Sequence, residues 1–274
     1  MSTYLDTIKE TATFLRNHTK RAPQAGIILG SGLGGGLVEQ LTHTTRLANK
    51  DIPNFPVSTV EGHSGELIFG QLGGKEVVVM AGRFHYYEGY NMQEVTFPVR
   101  VMKLLGVHTL LVSNAAGGMN PGFKVGDLML IHDHINLFPE HPLRGKNIDE
   151  LGPRFPDMSE PYSMAIIAKA KAIAQQHQVP LQSGVYIGLQ GPTFETRAEY
   201  HYLHVIGGDA VGMSTVPEVI VAIHMGMQVF GISVITDLGI RETLNTITHE
   251  EVLEAAHTAA PKIALLFREV IASL

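Results

Sequence analysis

Eight short apolar runs alternate with longer amphipathic stretches, and that alternation constrains the fold more than any other feature of the chain. The runs are "AGIILG", "GELIFGQL", "EVVVMAG", "TLLVSNAAGG", "DLMLIHDHINL", "GVYIGLQG", "AVGMS" and "VFGISVITD", and several are apolar at successive rather than alternate positions. Strands of that kind need cover on both faces. The stretches "QEVTFPVRVMKLLG", "PYSMAIIAKAKAIAQQHQ", "TRAEYHYLHVIGG", "PEVIVAIHMG" and "HEEVLEAAHTAAPKIALLFREVIASL" supply it as helices. The expected class is α/β, a central sheet flanked by helices on both faces. The stretch "GELIFGQLGGKEVVVMAG" pivots on Gly73-Gly74 and reads as a hairpin, which makes the sheet mixed.

A chain of 274 residues with 45% hydrophobic content can bury a large core, and no repeat or low-complexity tract divides it, so one domain over 1–274 is expected. The segment from Phe138 to Ser163, with five prolines, reads as an excursion from that domain. The net charge is -6, and without any run of Lys or Arg the chain offers no footprint for nucleic acid. The absence of cysteine excludes a disulfide framework, a thiolate metal site and a Cys nucleophile, and fits the cytoplasm. The N-terminal stretch carries charges throughout, with Leu5, Ile8, Ala12 and Leu15 on one helical face. It is neither a signal peptide nor a membrane span, and no other run is long enough to span.

The first strand ends in a glycine-rich turn, "GIILGSGLGGGLVEQL", in which Gly30 to Gly35 fits the dinucleotide spacing G-x-G-x-x-G. Asp51 follows at a tolerable distance, but "HTTRLANK" is too polar for the second strand of that fold. No Lys-Ser or Lys-Thr follows Gly36, so a Walker loop fails too. Other chemistry appears at the strand exits. Ser31 follows the first run; Arg83 and His85, then Asn114, Ala115 and Ala116, then Glu195, Ser214 and Asp237 follow later ones. Singly these are turn and cap residues. If the strands are parallel neighbours they meet at one mouth. Hydroxyls, backbone N–H groups, a forked guanidinium and an imidazole suit a tetrahedral oxyanion, which favours free phosphate over a dinucleotide. His132 and His134 have the spacing of a metal pair but no third ligand, so no metal is expected.

In order along the chain, "GSGLGG", "FPVSTVEGHSGEL", "AGRFHYYEGY", "VTFPVRV", "SNAAGGMNP", "DHINL", "GPTFET", "VGMSTVPEVIVA" and "HEEV" resemble the purine nucleoside phosphorylases of the trimeric, 6-oxopurine-preferring type. The resemblance covers nearly the whole chain. It implies the nucleoside phosphorylase fold and reversible phosphorolysis of inosine, guanosine and their 2'-deoxy forms to free base and (2-deoxy)ribose 1-phosphate, a purine-salvage reaction. Inorganic phosphate is the co-substrate, and no metal or organic cofactor is implied. Ser31, Arg83, His85, the Ala115 backbone and Ser214 would hold phosphate, with His63 in a loop beside it. Tyr87, Met213 and His249 would bind the sugar, the last at its 5'-hydroxyl. Phe194 would lie against the base, Ala116, Gly117 and Val211 would line its pocket, and Glu195 would accept from purine N1–H. Phe155 would reach into a neighbouring subunit's site, which implies a homotrimer.

One position departs from the pattern. Most members of the type end the strand matching "ISVITD" in Asn, where this chain has Asp237. Protonated, Asp237 would donate to purine N7 as general acid; ionised, it would welcome a 6-amino group. The following "LGIRETLNTIT" differs as well. A 5'-methylthioadenosine phosphorylase fits less well, because Glu195 faces adenine N1 poorly and His249 suits a 5'-hydroxyl better than a thioether. A noncatalytic nucleoside-binding protein on the same scaffold is the alternative of another class.

Overall fold

The computed structural model describes residues 3–59, 65–240 and 248–274. Its strands are β1 (Ala25–Ile28), β2 (Thr42–Ala48), β3 (Glu66–Leu72), β4 (Lys75–Ala81), β5 (Thr109–Gly118), β6 (Leu128–Asn136), β7 (Gln182–Gly188), β8 (Ala210–Gly212) and β9 (Gln228–Leu238). The helices are α1 (Tyr4–Thr19), α2 (Gly35–Val38), α3 (Met92–Leu105), α4 (Met164–Gln176), α5 (Arg197–Val205), α6 (Val216–His224) and α7 (His249–Ala272). Four of them open on a capping box that is written in the sequence as Thr3/Asp6, Asn91/Glu94, Thr196/Glu199 and Thr248/Glu251. Between β6 and α4 the expected excursion holds only a 3₁₀ turn at Asp149–Leu151.

The expected mixed sheet is present, and its pairing closes on itself in one part. Strands β5, β9, β6, β7 and β8 form a ring that returns to β5, while β1, β4, β3 and β2 extend outward from β5. The β3–β4 hairpin turns at Gly73 and Gly74, both at positive φ (57° and 78°), as a two-residue turn of this hand requires. The stretch "HTTRLA", too polar for a buried parallel strand, is nevertheless a strand. As β2 it runs antiparallel to β3 at the sheet edge with most residues outward, where a polar strand is tolerated.

Strand β5 is the seam between ring and open sheet. One edge pairs with β9 over its whole length. The other pairs with β1 over Thr109–Val112 and with β8 over Gly117–Gly118. Between those two partners β5 has no described strand neighbour on that edge, and a crevice opens there. Helices α1, α3 and α6 pack together on one side, and α2, α4 and α7 on the other. One continuous apolar cluster joins the strands to these helices. A small second cluster, Met119, Ile187, Tyr200, Leu203 and Val211, seats α5 over the end of the ring.

Candidate active site

Strands β1, β4, β5 and β9 run parallel to one another, which meets the condition for their carboxyl ends to open at one mouth. Strands β7 and β8 run the other way relative to β5, and Glu195 and Ser214 arrive instead on the loops that follow them. The mouth is a cavity of about 400 Å³. It brings together Ser31, Arg83, His85, Tyr87, Ala115, Ala116, Gly117, Phe194, Glu195, Val211, Met213, Ser214, Asp237 and His249. Two expected residues are not among these. His63 lies outside the described residues, as does most of the departing "LGIRETLNTIT". Phe155 is 87% exposed on the long excursion and takes no part in the cavity of its own chain.

At one end the cavity is built for an anion. Arg83 is buried, with its Nε and Nη2 donating to the two carboxylate oxygens of Glu218 at 3.1 Å and Nη1 donating to the Ser113 carbonyl at 2.7 Å. That bidentate pair fixes the plane of the guanidinium. His85 donates its backbone N–H to Glu88 at 2.8 Å, and its Nδ1 is 3.1 Å from the same oxygen. Burial works to raise the Glu88 carboxyl, but hydrogen bonds from His85 and Thr59 outweigh it and bring the group down to about 2. Burial, aided by the Arg83 charge, lowers the His85 imidazole, so the neutral ring with Nδ1–H on Glu88 is favoured. Tyr87 stacks on His85 with centroids 4.6 Å apart, and its phenol is pushed up to about 12 by burial.

Helix α6 begins at this end. Its N-cap, Thr215, is fully buried and holds a non-glycine positive φ of 71°, a strained conformation of the kind that clusters at binding sites. Asn114 donates to Thr215 Oγ1 at 2.9 Å, and Ser214 Oγ lies 3.2 Å from the same atom. The glycine turn ends in α2, a single helical turn, so α6 supplies the longer helix N-terminus here. Gly30 N–H donates to Ser113 Oγ at 3.3 Å and ties the turn to β5.

The other end is carboxylic. Asp237, near the end of β9, is 6% exposed and accepts from Tyr200 Oη at 3.1 Å and from Thr236 Oγ1 at 3.2 Å. Glu195 is partly buried, and its pKa is raised by burial and by the Asp237 and Glu199 charges against hydrogen bonds from its own backbone and Tyr200. β5 and β9 slip register between Ala116 and Gly117, a bulge that sits beside this pair. His132 and His134 stay off the cavity. His132 lies 3.2 Å from Ser183 Oγ, and His134, lowered to about 4 by burial, lies 3.2 Å from Tyr162 Oη. Among the described residues no three His, Cys, Asp or Glu side chains gather as metal ligands would.

Sequence reasoning overlooked Glu88, Glu218, Thr215 and Tyr200. Glu218 carried a usable signal, a lone carboxylate inside the apolar "VPEVIVA", since a buried charge needs a partner. Tyr200 carried none, because on α5 it simply reads as part of the apolar face.

Residues 24–272 match the model of the phosphorylase superfamily. The chain is 54% identical to purine nucleoside phosphorylase 1 of Geobacillus stearothermophilus over 90% of each chain. It is 53% identical to the purine nucleoside phosphorylase of Bos taurus over 99% of this chain and 96% of that one. A Schistosoma purine nucleoside phosphorylase solved in complex with hypoxanthine superposes with a TM-score of 0.94 at 41% identity, covering 100% of this chain and 99% of that one.

Proposed function

The chain belongs to the phosphorylase superfamily, among its purine nucleoside phosphorylases, and from that premise we propose how its cavity divides the work of phosphorolysis. The enzyme acts on inosine and guanosine. The observation that carries the residue assignment is the polarity of the cavity, with an anion-binding end at β1, β4 and α6 and a carboxylic end at β9 and the loop after β7. Phosphate binds between Ser31, Arg83, His85, the Ala115 N–H and Ser214, and His63 belongs with them by motif. A neutral His85 presents Nε2 as an acceptor, matched to the P–OH of hydrogenphosphate. Tyr87, Met213 and His249 hold the sugar. The base lies on Phe194 against Ala116, Gly117 and Val211, with N1–H on Glu195 and N7 toward Asp237.

Cleavage through an oxocarbenium-like state puts positive charge on the sugar, which the bound phosphate stabilises before attacking C1'. The departing purine becomes neutral when Asp237 gives N7 a proton. No metal or organic cofactor takes part. Phe155 completes the site of a neighbouring copy in a homotrimer, a reading supported by its exposure and by the motif it matches. The enzyme works in the cytoplasm, and no helix among the described residues is long and apolar enough to cross a membrane. Chromatography of products from inosine, guanosine, adenosine and 5'-methylthioadenosine, with and without phosphate, tests the reading. Base is released only with phosphate, and mainly from the first two. Release without phosphate, or preference for either adenine nucleoside, overturns it.

A further inference from the structure

Two carboxyl groups and one phenol meet at the base end of the cavity. Glu195, Tyr200 and Asp237 all line it, and Tyr200 Oη donates to Asp237 Oδ2 at 3.1 Å. Glu195 lines the same end of the cavity, where its carboxyl and the Tyr200 hydroxyl bear on each other's ionisation. The Tyr200 ring is locked in place. It packs among Met119, Ile187, Leu203 and Val211, and its face lies so near Gly239 that a Cβ there would come within 2.2 Å of the ring. A phenol has a single proton, so it donates to one carboxyl at a time. Both contacts are satisfied together only when one carboxyl carries a proton and donates to the phenol oxygen.

The surroundings favour that extra proton. Glu199 on α5 bears on Glu195, Glu251 and Glu254 on α7 line a neighbouring pocket that shares Asp237, and His249 lines the cavity of the trio. Arg83, a cation of the same cavity, is forked to Glu218. Burial and the neighbouring Asp237 charge raise the Glu195 carboxyl, and burial with both carboxyl charges raises the Tyr200 phenol well above its ordinary value.

We propose that Tyr200 is a positioning residue that passes a proton from Glu195 to Asp237 when a purine bearing hydrogen on N1 binds, and so makes Asp237 a general acid for 6-oxopurines. The inference rests on the base orientation proposed above. In the free enzyme Glu195 carries the proton and donates to Tyr200, which donates to Asp237. An N1–H donor needs Glu195 as an acceptor. The Glu195 proton then moves to the Tyr200 oxygen as the Tyr200 proton moves to Asp237, and Asp237 delivers it to N7 as the glycosidic bond breaks. Tyr200 ends neutral, as it began. Adenine has no hydrogen on N1, so Glu195 keeps its proton as a donor to that nitrogen. Asp237 stays ionised against the 6-amino group and has nothing to give N7. Adenosine therefore binds but turns over poorly, and discrimination appears in kcat more than in KM.

Tyr200→Phe keeps the ring and removes the relay. With inosine, its kcat falls by roughly 10- to 100-fold at little change in KM, while adenosine turnover changes far less, because general acid catalysis is what is lost. 7-Methylguanosine, whose base already bears positive charge and leaves without a proton, is turned over at close to the wild-type rate. That substrate also reports that the variant is folded. Equal loss on inosine and 7-methylguanosine, or unchanged inosine kcat, overturns the relay. Glu195→Ala and Asp237→Ala, run in parallel, separate the two ideas. If they lose inosine turnover and Tyr200→Phe does not, the relay alone fails; if they too keep it, the base orientation fails with it.

Discussion

Arg83 and Glu218 form a buried pair in which the carboxylate holds the guanidinium, and in the proposed assignment the guanidinium meets phosphate. Arg83→Ala should lose about 2–4 kcal/mol of transition-state stabilisation, read as a raised phosphate KM and lower kcat/KM, because charge-assisted bonds to an oxyanion are lost. It should also lower Tm, since Glu218 is left charged and unpaired in the interior. Adding Glu218→Gln should recover Tm without recovering phosphate affinity. Recovery of both would mean that Arg83 serves the fold alone. Glu88 titrates in a different window. Its folded pKa of about 2 lies below its ordinary 4.5, so its contribution is complete above pH 4.5 and is lost as pH falls through 2. That loss should be of order 3 kcal/mol in urea unfolding, and Glu88→Gln should flatten it. At this scale much of the candidate site was legible, since Ser31, Arg83, His85 and Ser214 follow strands, Asp237 sits near the end of one, and all carry chemistry that strand ends collect. The pairing of the carboxylates behind them was not, because even where one stands out, as Glu218 does, its partner lies far off in sequence, 135 positions away for Arg83 and Glu218.

Among the elements, α5 is short and owes its start to one cap. Thr196 Oγ1 accepts from Glu199 N–H at 3.2 Å, and Glu199 returns a bond to the Thr196 N–H at 2.7 Å. Thr196→Ala should cost about 1 kcal/mol of stability, and it should raise KM for inosine more than for phosphate, because Glu195 immediately precedes the cap. Equal effects on the two substrates would detach α5 from the base end. The helices were readable because their caps and periodicity are local. Strand β2 was harder, since an edge strand with most side chains in water lacks the apolar pattern by which strands are read. Ring closure was invisible in principle, because it depends on β9 pairing with both β5 and β6, a choice made by packing across more than a hundred residues.

For the molecule as a whole, Phe155 is the clearest unfinished contact. An aromatic ring 87% exposed on a long excursion is available to a neighbouring copy, as the proposed assembly requires. Sedimentation should give a mass of about three times 29.8 kDa, the symmetric closed assembly expected of a homo-oligomer. Phe155→Ala should leave unfolding of the protomer nearly unchanged while raising nucleoside KM, by roughly the tenfold that loss of about 1.4 kcal/mol of aromatic contact brings. A monomeric wild type with full activity would refute the shared site.

With the site residues assigned as proposed, the divided edge of β5 mounts nucleophile and leaving group on one continuous length of backbone. On the proposed assignment phosphate is met where β1 lets go of that edge and the purine where β8 takes it up, so their spacing is set by strand rise, about 3.3 Å per residue, and not by how two bodies happen to swing together. The downstream half can then be re-tuned to another nucleobase through the contents of α5 and the end of β9, while the line of attack on C1' keeps its calibration.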